Sequence, residues 1–455
     1  DVPTPDVQTP PLFEGVRDRE LKRLGVPEDR LEAVRAVCEV ADLGELQPVL
    51  PPEAYEGLSY IADGEPLDEV LRAMEPAPKQ VDPQDFAAAL DRVETRRRFR
   101  VVDTDEELEA MLDAPLEKWR VFLHPSQDRL VYRDWNGPVR VLGTAGTGKT
   151  VVAMHRAAYL ATFVLKDPGH RILFTTFTTN LAADIRANLA KLCPPDAMRR
   201  IRVTPIDAWV GEVLKQAGYA YTIAYWRSDA LEPLWNRALN EAPAGFDKEF
   251  FRDEWDMVVQ AHGCQTWEDY RAAPRSGRGV RLGRKQRKAV WPVFERYRNL
   301  LDRAGLREPE DALRDAEAMV SRGKVQPRFS AIVVDEAQDM STSAFKLLRA
   351  AVPPGPNDLF IVGDGHQRIY RRHVVLGRAG VEIRGRSKRL RVNYRTTEEI
   401  RQFAEALLQG VAVDDLDGNA DEGKGTRSLT RGQEPVIQTF SRFEDEVAAI
   451  AAWVG

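Results

Sequence analysis

Residues 143–150 carry a distinctive chemical signal in this 455-residue chain, because they fit the pattern G-x-x-x-x-G-K-[ST]. The glycines let the backbone turn tightly, so that its N–H groups and the start of the next helix cradle phosphate oxygens. Lys149 brings a cation to the β- and γ-phosphates of a nucleotide, and the Thr150 hydroxyl is suited to bind Mg²⁺. The predicted nucleotide-binding residues of this loop are Gly143, Thr144, Ala145, Gly146, Thr147, Gly148, Lys149 and Thr150.

A second chemical signal is the acidic pair Asp335-Glu336, which follows the apolar run Ile332 to Val334. Such a pair emerges at the carboxyl edge of a parallel sheet, where ligands bind. Asp335 is suited to hold Mg²⁺, usually through water, and Glu336 to orient or deprotonate the attacking water. Together with the phosphate loop, the pair predicts a nucleoside triphosphatase.

Short, β-rich apolar runs predict the scaffold that positions these residues. Because helical pattern separates the runs, they are expected to be buried parallel strands in an α/β fold. They are Val139 to Leu142, Ile172 to Phe174, Ile201 to Val203, Ile332 to Val334 and Leu359 to Val362. Between Val210 and about Gln326 the strand signal disappears, which predicts an inserted helical subdomain.

The two ends of the chain have a different texture. Residues 1 to about 115 are punctuated by prolines and carry short amphipathic stretches, which predicts a small helical accessory region. After Asn393 a helical pattern leads to a Gly- and Asp-rich loop near residues 414–432 and then to a strand candidate, Val436 to Phe440.

Composition excludes several classes of protein. The charged fraction of 30% and the hydrophobic fraction of 43% are those of an ordinary globular protein, and charges interrupt every candidate membrane span. The net charge of −6 means that any contact with nucleic acid needs a local basic patch. Three scattered cysteines suggest neither disulfides nor zinc and fit a reducing cytoplasm. The ends of the sequence suggest a piece of a longer chain.

Five segments occur in the order seen in superfamily 1 helicases of the UvrD/Rep type, so the chain resembles that family over about residues 120 to 455. They are Gly143 to Thr150, Phe174 to Asn180, Val334 to Asp339, Val362 to Tyr370 and Arg391 to Arg395. The resemblance implies a RecA-like P-loop NTPase domain with a helical insertion and the start of a second RecA-like domain. The expected divisions are 1–115, 116–210, 211–327, 328–400 and 401–455.

The resemblance also implies roles in binding and hydrolysing ATP with Mg²⁺. Gln127 is similar to a glutamine that reads adenine, which an amide does by donating and accepting at once, although a surface polar residue is the alternative. Tyr394 is similar to an aromatic residue that stacks on adenine, and Gln367 to a sensor of the γ-phosphate. Arg395 is similar to an arginine finger that neutralises charge on the transferred phosphoryl group, with a structural ion pair as the alternative. Lys149 and Glu336 complete the implied catalytic set.

Two further regions are expected to contact a nucleic-acid strand. Phe177 matches the family's strand-stacking aromatic, although a core phenylalanine at a strand end is the alternative. Tyr370 also matches, while Arg372 stands where relatives often carry Trp, and its guanidinium plane can stack on a base. The run from Arg275 to Lys288 holds seven cations and no acid. Its predicted phosphate-binding members are Arg278, Arg281, Arg284 and Lys285, with a solvated loop as the alternative.

These features favour an ATP-driven DNA helicase that acts on single-stranded DNA and opens duplex junctions, and the resemblance to the UvrD/Rep type implies movement from 3′ to 5′. The alternative is an ATP-controlled remodeller of RNA polymerase, because Gly148 to Leu160 and Asp335 to Ser341 are also similar to HelD proteins. The N-terminal region is a possible site for a protein partner. We also expect a chain ending at Gly455 to bind ATP but to hydrolyse it slowly and not to unwind duplex.

Overall fold

The computed structural model describes most of the chain outside residues 75–122. The described residues are 10–46, 49–62, 64, 66–74, 123–124, 127–225, 228–275, 278–368, 374–408, 413, 415–417, 425–428 and 430–454. Within the described residues before position 75, the chain forms the short helices α1 (Asp18–Arg23), α2 (Leu31–Arg35), α3 (Val40–Leu46), α4 (Pro52–Ala62) and α5 (Leu67–Met74). They share a small core of their own that includes Phe13, Leu21 and Leu58.

A six-stranded parallel sheet is the centre of the fold, which confirms the predicted α/β class. Its strands lie in the order β3-β2-β6-β7-β1-β8. Their bounds are β1 (Val139–Gly143), β2 (Ile172–Thr176), β3 (Ile201–Pro205), β6 (Ala331–Val334), β7 (Leu359–Gly363) and β8 (Ser387–Leu390). The first five were predicted from the sequence as parallel strands, whereas β8 was not.

Helices cover both faces of this sheet, as the alternation of its buried side chains requires. The helices of these two layers, with the short α6 before β1, are α6 (Asp128–Tyr132), α7 (Lys149–Tyr159), α8 (Thr179–Leu192), α9 (Pro195–Arg200), α10 (Ile206–Gln216), α15 (Pro309–Ser321) and α16 (Thr342–Ala351). On one face Phe174 and Val333 pack against α7 and its neighbours, and on the other face Leu173 and Ile332 pack against α10, α15 and α16. Thus the phosphate loop and the Asp335-Glu336 pair begin at the carboxyl ends of β1 and β6, two strands that are buried along their whole length.

Between α10 and α15 the chain forms a helical layer with its own aromatic core, including Trp255, Phe294 and Tyr297. Its helices are α11 (Glu232–Leu239), α12 (Lys248–Glu254), α13 (Trp267–Ala272) and α14 (Arg284–Arg303). The chain enters and leaves through a two-residue parallel pair that the sequence did not predict, β4 (Thr222–Ile223) with β5 (Leu306–Arg307). The division of the chain at residues 211 and 327 stays a prediction.

The last part of the chain contains α17 (Glu398–Ala406), α18 (Phe443–Val454) and a short parallel pair, β9 (Val392–Asn393) with β10 (Arg427–Ser428). The strand predicted at Val436 to Phe440 is wrong, because residues 431–440 have no regular secondary structure. A strand needs a hydrogen-bonded neighbour, and Val436 is instead 82% exposed. In the described part of the chain, no helix is both long enough and apolar enough to cross a membrane.

Candidate nucleotide-binding and catalytic site

The phosphate loop connects β1, which ends at Gly143, to α7, which begins at Lys149. Gly146 and Gly148 have φ angles of +79° and +83°, which favour glycine over other residues. The Thr147 hydroxyl donates to the Thr144 carbonyl at 2.8 Å and closes the turn. Ala145 at the tip is exposed. The loop therefore presents the positive end of α7 at the carboxyl edge of the sheet.

Lys149 is buried within this loop. Its Nζ donates to the Thr144 carbonyl at 2.9 Å and lies 3.4 Å from Asp364 Oδ2, directly after β7. Asp364 and Lys149 therefore form an ion pair. The two strands β1 and β7 are hydrogen-bonded neighbours, which is why these two residues meet.

Asp335 follows β6 and is fully buried. Burial and the neighbouring Glu336 carboxylate raise the pKa of Asp335 to about 7, although a hydrogen bond from Thr150 and the charge of Lys149 oppose the rise. Its Oδ2 atom has no hydrogen-bond partner among the residues that the structure describes. An orphaned carboxylate oxygen beside a threonine hydroxyl fits a hard divalent cation, so Asp335 and Thr150 are the residues able to hold Mg²⁺.

The described residues contain no cluster of three or more His, Cys, Asp or Glu side chains arranged around a common metal position. Mg²⁺ keeps several waters and takes only one or two protein ligands beside nucleotide phosphates, which is the number that Asp335 and Thr150 supply.

Glu336 has an unusual backbone conformation, with φ of 54° and ψ of 44°. Its N–H donates to Asp335 Oδ1 at 3.0 Å, so the chain turns sharply after β6. Its carboxylate accepts a hydrogen bond of 2.6 Å from Gln338 Nε2. This turn brings the proposed base next to the residue suited to hold the metal.

The turn from Asn393 to Arg395 lies directly against the phosphate loop. The Tyr394 N–H donates to the Gly146 carbonyl at 3.0 Å. Asn393 Oδ1 accepts from the Arg395 N–H at 2.8 Å, which folds the turn. Arg395 and Tyr394 are exposed, and no ion pair of the Arg395 guanidinium is found among the described residues. The turn thus presents the two side chains beside the loop that receives phosphate.

Gln127 is buried, so the alternative of a surface polar residue is wrong. Its Nε2 donates to the Thr147 carbonyl at 3.0 Å, and its Oε1 accepts from the His124 N–H at 3.3 Å. The rings of His124 and Tyr394 are 5.2 Å apart. The structure thus brings together Gln127, Tyr394 and the phosphate loop, while contact with adenine stays a prediction.

The remaining predicted residues near this edge are less closely packed. Gln367 is exposed and ends a short turn in which its N–H donates to the Asp364 carbonyl at 3.1 Å. Phe177 is half-buried one residue after β2, whose Thr175 carbonyl accepts from the Asp335 N–H at 2.9 Å. Strand contact by Phe177 stays a prediction, and Tyr370 and Arg372 lie outside the described residues.

The basic run differs from the expectation at Arg278. Arg278 is buried and pairs with Glu254 at 3.1 Å and with Asp253 at 3.3 Å, so it is not available to a phosphate. Arg275 pairs with the same Glu254 at 2.6 Å. The partner carboxylates are more than twenty residues earlier in the chain, in α12. Arg281, Arg284 and Lys285 are exposed and retain the expected accessibility.

Two functional candidates, Asp364 and Gln338, are not identified by the sequence patterns. Asp364 and Gln338 lie within the quoted motifs, but the pattern alone gave neither of them a role. The signal available was the position of Asp364 directly after a predicted strand, which is the same signal that identified Asp335. Nothing in the spacing indicates that Gln338 connects Glu336 with Asp364.

Comparison with known proteins gives an independent view of this site. The sequence model for the UvrD/REP helicase N-terminal domain matches residues 123–373, which is more than half of the chain. ATP-dependent DNA helicase PcrA of Leuconostoc citreum is 26% identical over 289 residues, or 60% of this chain and 37% of that protein. ATP-dependent DNA helicase Rep of Buchnera aphidicola is 25% identical over 249 residues, or 52% and 36%.

A longer match is to ATP-dependent DNA helicase UvrD2 of Mycobacterium tuberculosis, which is 26% identical over 340 residues, or 69% of this chain. That match covers 46% of the mycobacterial protein. This chain therefore spans about a third to a half of the length of the relatives described here.

Proposed function

The chain belongs to the UvrD/REP helicase N-terminal domain family, and from that membership we propose that it is the ATP-hydrolysing part of a DNA helicase. The observation that carries the proposal is the meeting of three segments at one edge of the sheet. These are the phosphate loop, the Asp335-Glu336 pair and the turn from Asn393 to Arg395. We propose that the motion is 3′ to 5′ along single-stranded DNA.

In the proposed reaction, Lys149 leaves the Thr144 carbonyl and Asp364 and pairs with the β- and γ-phosphates of ATP. Thr150 and Asp335 would hold Mg²⁺, which would supply positive charge to the phosphates when bound. Glu336 orients the attacking water and accepts its proton, and Arg395 stabilises the negative charge that develops on the γ-phosphoryl group. Gln127 and Tyr394 are proposed to bind the adenine from the other side of the loop.

For the strand, we propose that Phe177 stacks on a base and that Arg281, Arg284 and Lys285 pair with backbone phosphates. Phe177 follows β2, and β2 is hydrogen-bonded to β6, which ends beside Asp335. We propose that binding of the DNA strand and hydrolysis of ATP influence each other through this pair of β-strands. Arg278 takes no part in the proposal because Glu254 and Asp253 bind it.

The test is the rate of ATP hydrolysis by the chain alone, with single-stranded DNA and with RNA polymerase. We expect single-stranded DNA to increase the rate and RNA polymerase to leave it unchanged, with Lys149→Ala as the inactive control. Stimulation by RNA polymerase alone would favour the HelD-like alternative. Strand displacement by a protein that contains this chain, on substrates with either a 3′ or a 5′ single-stranded tail, tests the proposed direction.

A further inference from the structure

Gln338 is a buried side chain that connects two segments of the site and has no role in the reaction described above. Its Nε2 donates to Glu336 Oε2 at 2.6 Å, and its Oε1 accepts from the Asp364 N–H at 2.9 Å. Because one partner is a carboxylate oxygen and the other an N–H, only one orientation of the amide satisfies both. A Cβ on Gly363 would lie 3.1 Å from Gln338 Oε1, so the amide is also packed tightly against β7.

The bond to Gln338 acts on a residue that is held in an unfavourable conformation. A left-handed backbone such as that of Glu336 is unfavourable for a residue with a side chain, and it persists only when the surroundings determine it. Within the turn after β6, the Asp339 N–H donates to the Glu336 carbonyl at 3.1 Å. The Gln338 amide holds the side chain of the same residue, so both its backbone and its carboxylate are fixed.

The other end of Gln338 reaches the segment that contacts Lys149. Asp364 Oδ2 lies 3.4 Å from Lys149 Nζ, and Asp364 Oδ1 accepts from the His366 N–H at 3.0 Å. A continuous line of hydrogen bonds therefore runs from the Glu336 carboxylate through Gln338 and Asp364 to the lysine of the phosphate loop. When Lys149 moves to a phosphate, its ion pair with Asp364 breaks. Asp364 is also the residue whose backbone N–H donates to Gln338.

We propose that Gln338 is a positioning residue of the reaction. Its hydrogen bond orients the Glu336 carboxylate toward the attacking water, and its bond to Asp364 fixes the position of that carboxylate relative to the phosphate loop. This inference rests on the proposed function, because it assigns Gln338 a task in ATP hydrolysis. A misplacement of a reacting group by about 1 Å can reduce a rate about 100-fold, so loss of the aiming bond should slow the chemical step. Binding of ATP does not use Glu336 and should be preserved.

The experiment is single-turnover ATP hydrolysis by the full chain, together with the Kd for ATP in the presence of Mg²⁺. Gln338→Met keeps the size of the side chain and removes both hydrogen bonds. We expect its hydrolysis rate to fall about 10- to 100-fold and its Kd to change by less than about threefold. Gln338→Glu keeps an acceptor for the Asp364 N–H but loses the amide donor, and we expect the same loss of rate with folding intact.

Gln260→Met is the matched control, because Gln260 is equally buried and donates to two carboxylates, Glu308 at 2.9 Å and Asp311 at 3.0 Å, in the helical layer. We expect this variant to unfold at lower denaturant concentration and to hydrolyse ATP at the parent rate. A positioning role also requires that Gln338→Met slows Glu336→Gln no further, since there is then no base to aim.

The outcomes separate the two claims. A parent chain that does not hydrolyse ATP overturns the proposed function and this inference with it. A parent that hydrolyses ATP while both Gln338 variants match its rate overturns the inference alone. Equal slowing by Gln260→Met, or a further loss of rate when Gln338→Met is combined with Glu336→Gln, likewise contradicts a positioning role.

Discussion

Gly146 lies where the phosphate loop touches the turn from Asn393 to Arg395, and replacing it with alanine tests whether that contact holds the nucleotide site together. An added Cβ would lie 2.8 Å from the Cβ of Arg395 and still closer to Asn393 Oδ1. Such separations are shorter than real Cβ contacts, so the loop and the turn must move apart. The change also forces alanine into a backbone with φ of +79°.

The two effects can be separated with Gly218, which has φ of +69° but no atom within 4 Å of an added Cβ. Gly218→Ala should lose about 1–2 kcal/mol of unfolding free energy from the left-handed backbone alone. Overpacking adds about 1–3 kcal/mol in a well-packed site, so Gly146→Ala should lose about 2–5 kcal/mol. If about 1.4 kcal/mol of this steric cost destabilises only the nucleotide-bound form, the affinity for ATP falls about tenfold.

The assay combines denaturant unfolding with titration of a fluorescent ATP analogue. We expect Gly218→Ala to bind the analogue as the parent does and Gly146→Ala to bind it at least about tenfold more weakly. If Gly146→Ala were as stable as Gly218→Ala and kept the parent affinity, the contact between the loop and the turn would not exist in solution. The reasoning about that side of the site would then be refuted.

Three other perturbations have expected outcomes. Because burial raises the pKa of Asp335 from 3.8 to about 7, the folded chain loses stability as pH rises through this interval. The side chain in Asp335→Asn stays neutral, so the free energy of unfolding of this variant at pH 8 without Mg²⁺ should exceed that of the parent chain by up to about 4 kcal/mol. Unfolding titrations measure this difference, and a difference that does not change with pH contradicts the reasoning. Replacing Arg281, Arg284 and Lys285 with Gln should flatten the slope of log affinity against log salt for single-stranded DNA by about two, and an unchanged slope leaves these residues as solvated surface. Phe177→Ala should weaken binding of single-stranded DNA by about 1–3 kcal/mol with little salt dependence. If Phe177 were only a core residue, the substitution would instead lower the stability of the fold and leave strand binding unchanged.

Much of the scaffold was predictable from local patterns, and the misses have physical causes. Five strands were found because a strand buried on both faces of a parallel sheet is a continuous apolar run. Strand β8 (Ser387–Leu390) was missed because an edge strand with Lys388 in it lacks that run. Val436 to Phe440 has strand composition, but composition does not supply a neighbouring strand, and Ile437 is 70% exposed.

The site shows the same division between local and distant information. Spacing alone identified the phosphate loop, since the loop's chemistry is contained in eight adjacent residues. The burial of Arg278, which lies in a loop, was not predictable, because it depends on Glu254 at the end of helix α12. The bridge formed by Gln338 depends on Asp364, which is 26 positions later and joins it only when β6 and β7 pair. Such contacts become visible only in three dimensions.

The central claim is that the three segments at the sheet edge form a working site for ATP hydrolysis. It is tested most directly by measuring ATP binding and single-turnover hydrolysis in the parent chain, Lys149→Ala and Glu336→Gln under the same conditions with Mg²⁺. We predict that the parent binds and hydrolyses ATP, that Lys149→Ala does not bind it productively, and that Glu336→Gln binds it with parent affinity but hydrolyses it only at a small residual rate. Hydrolysis by Glu336→Gln at the parent rate would contradict the assignment of the base and with it the account of the site.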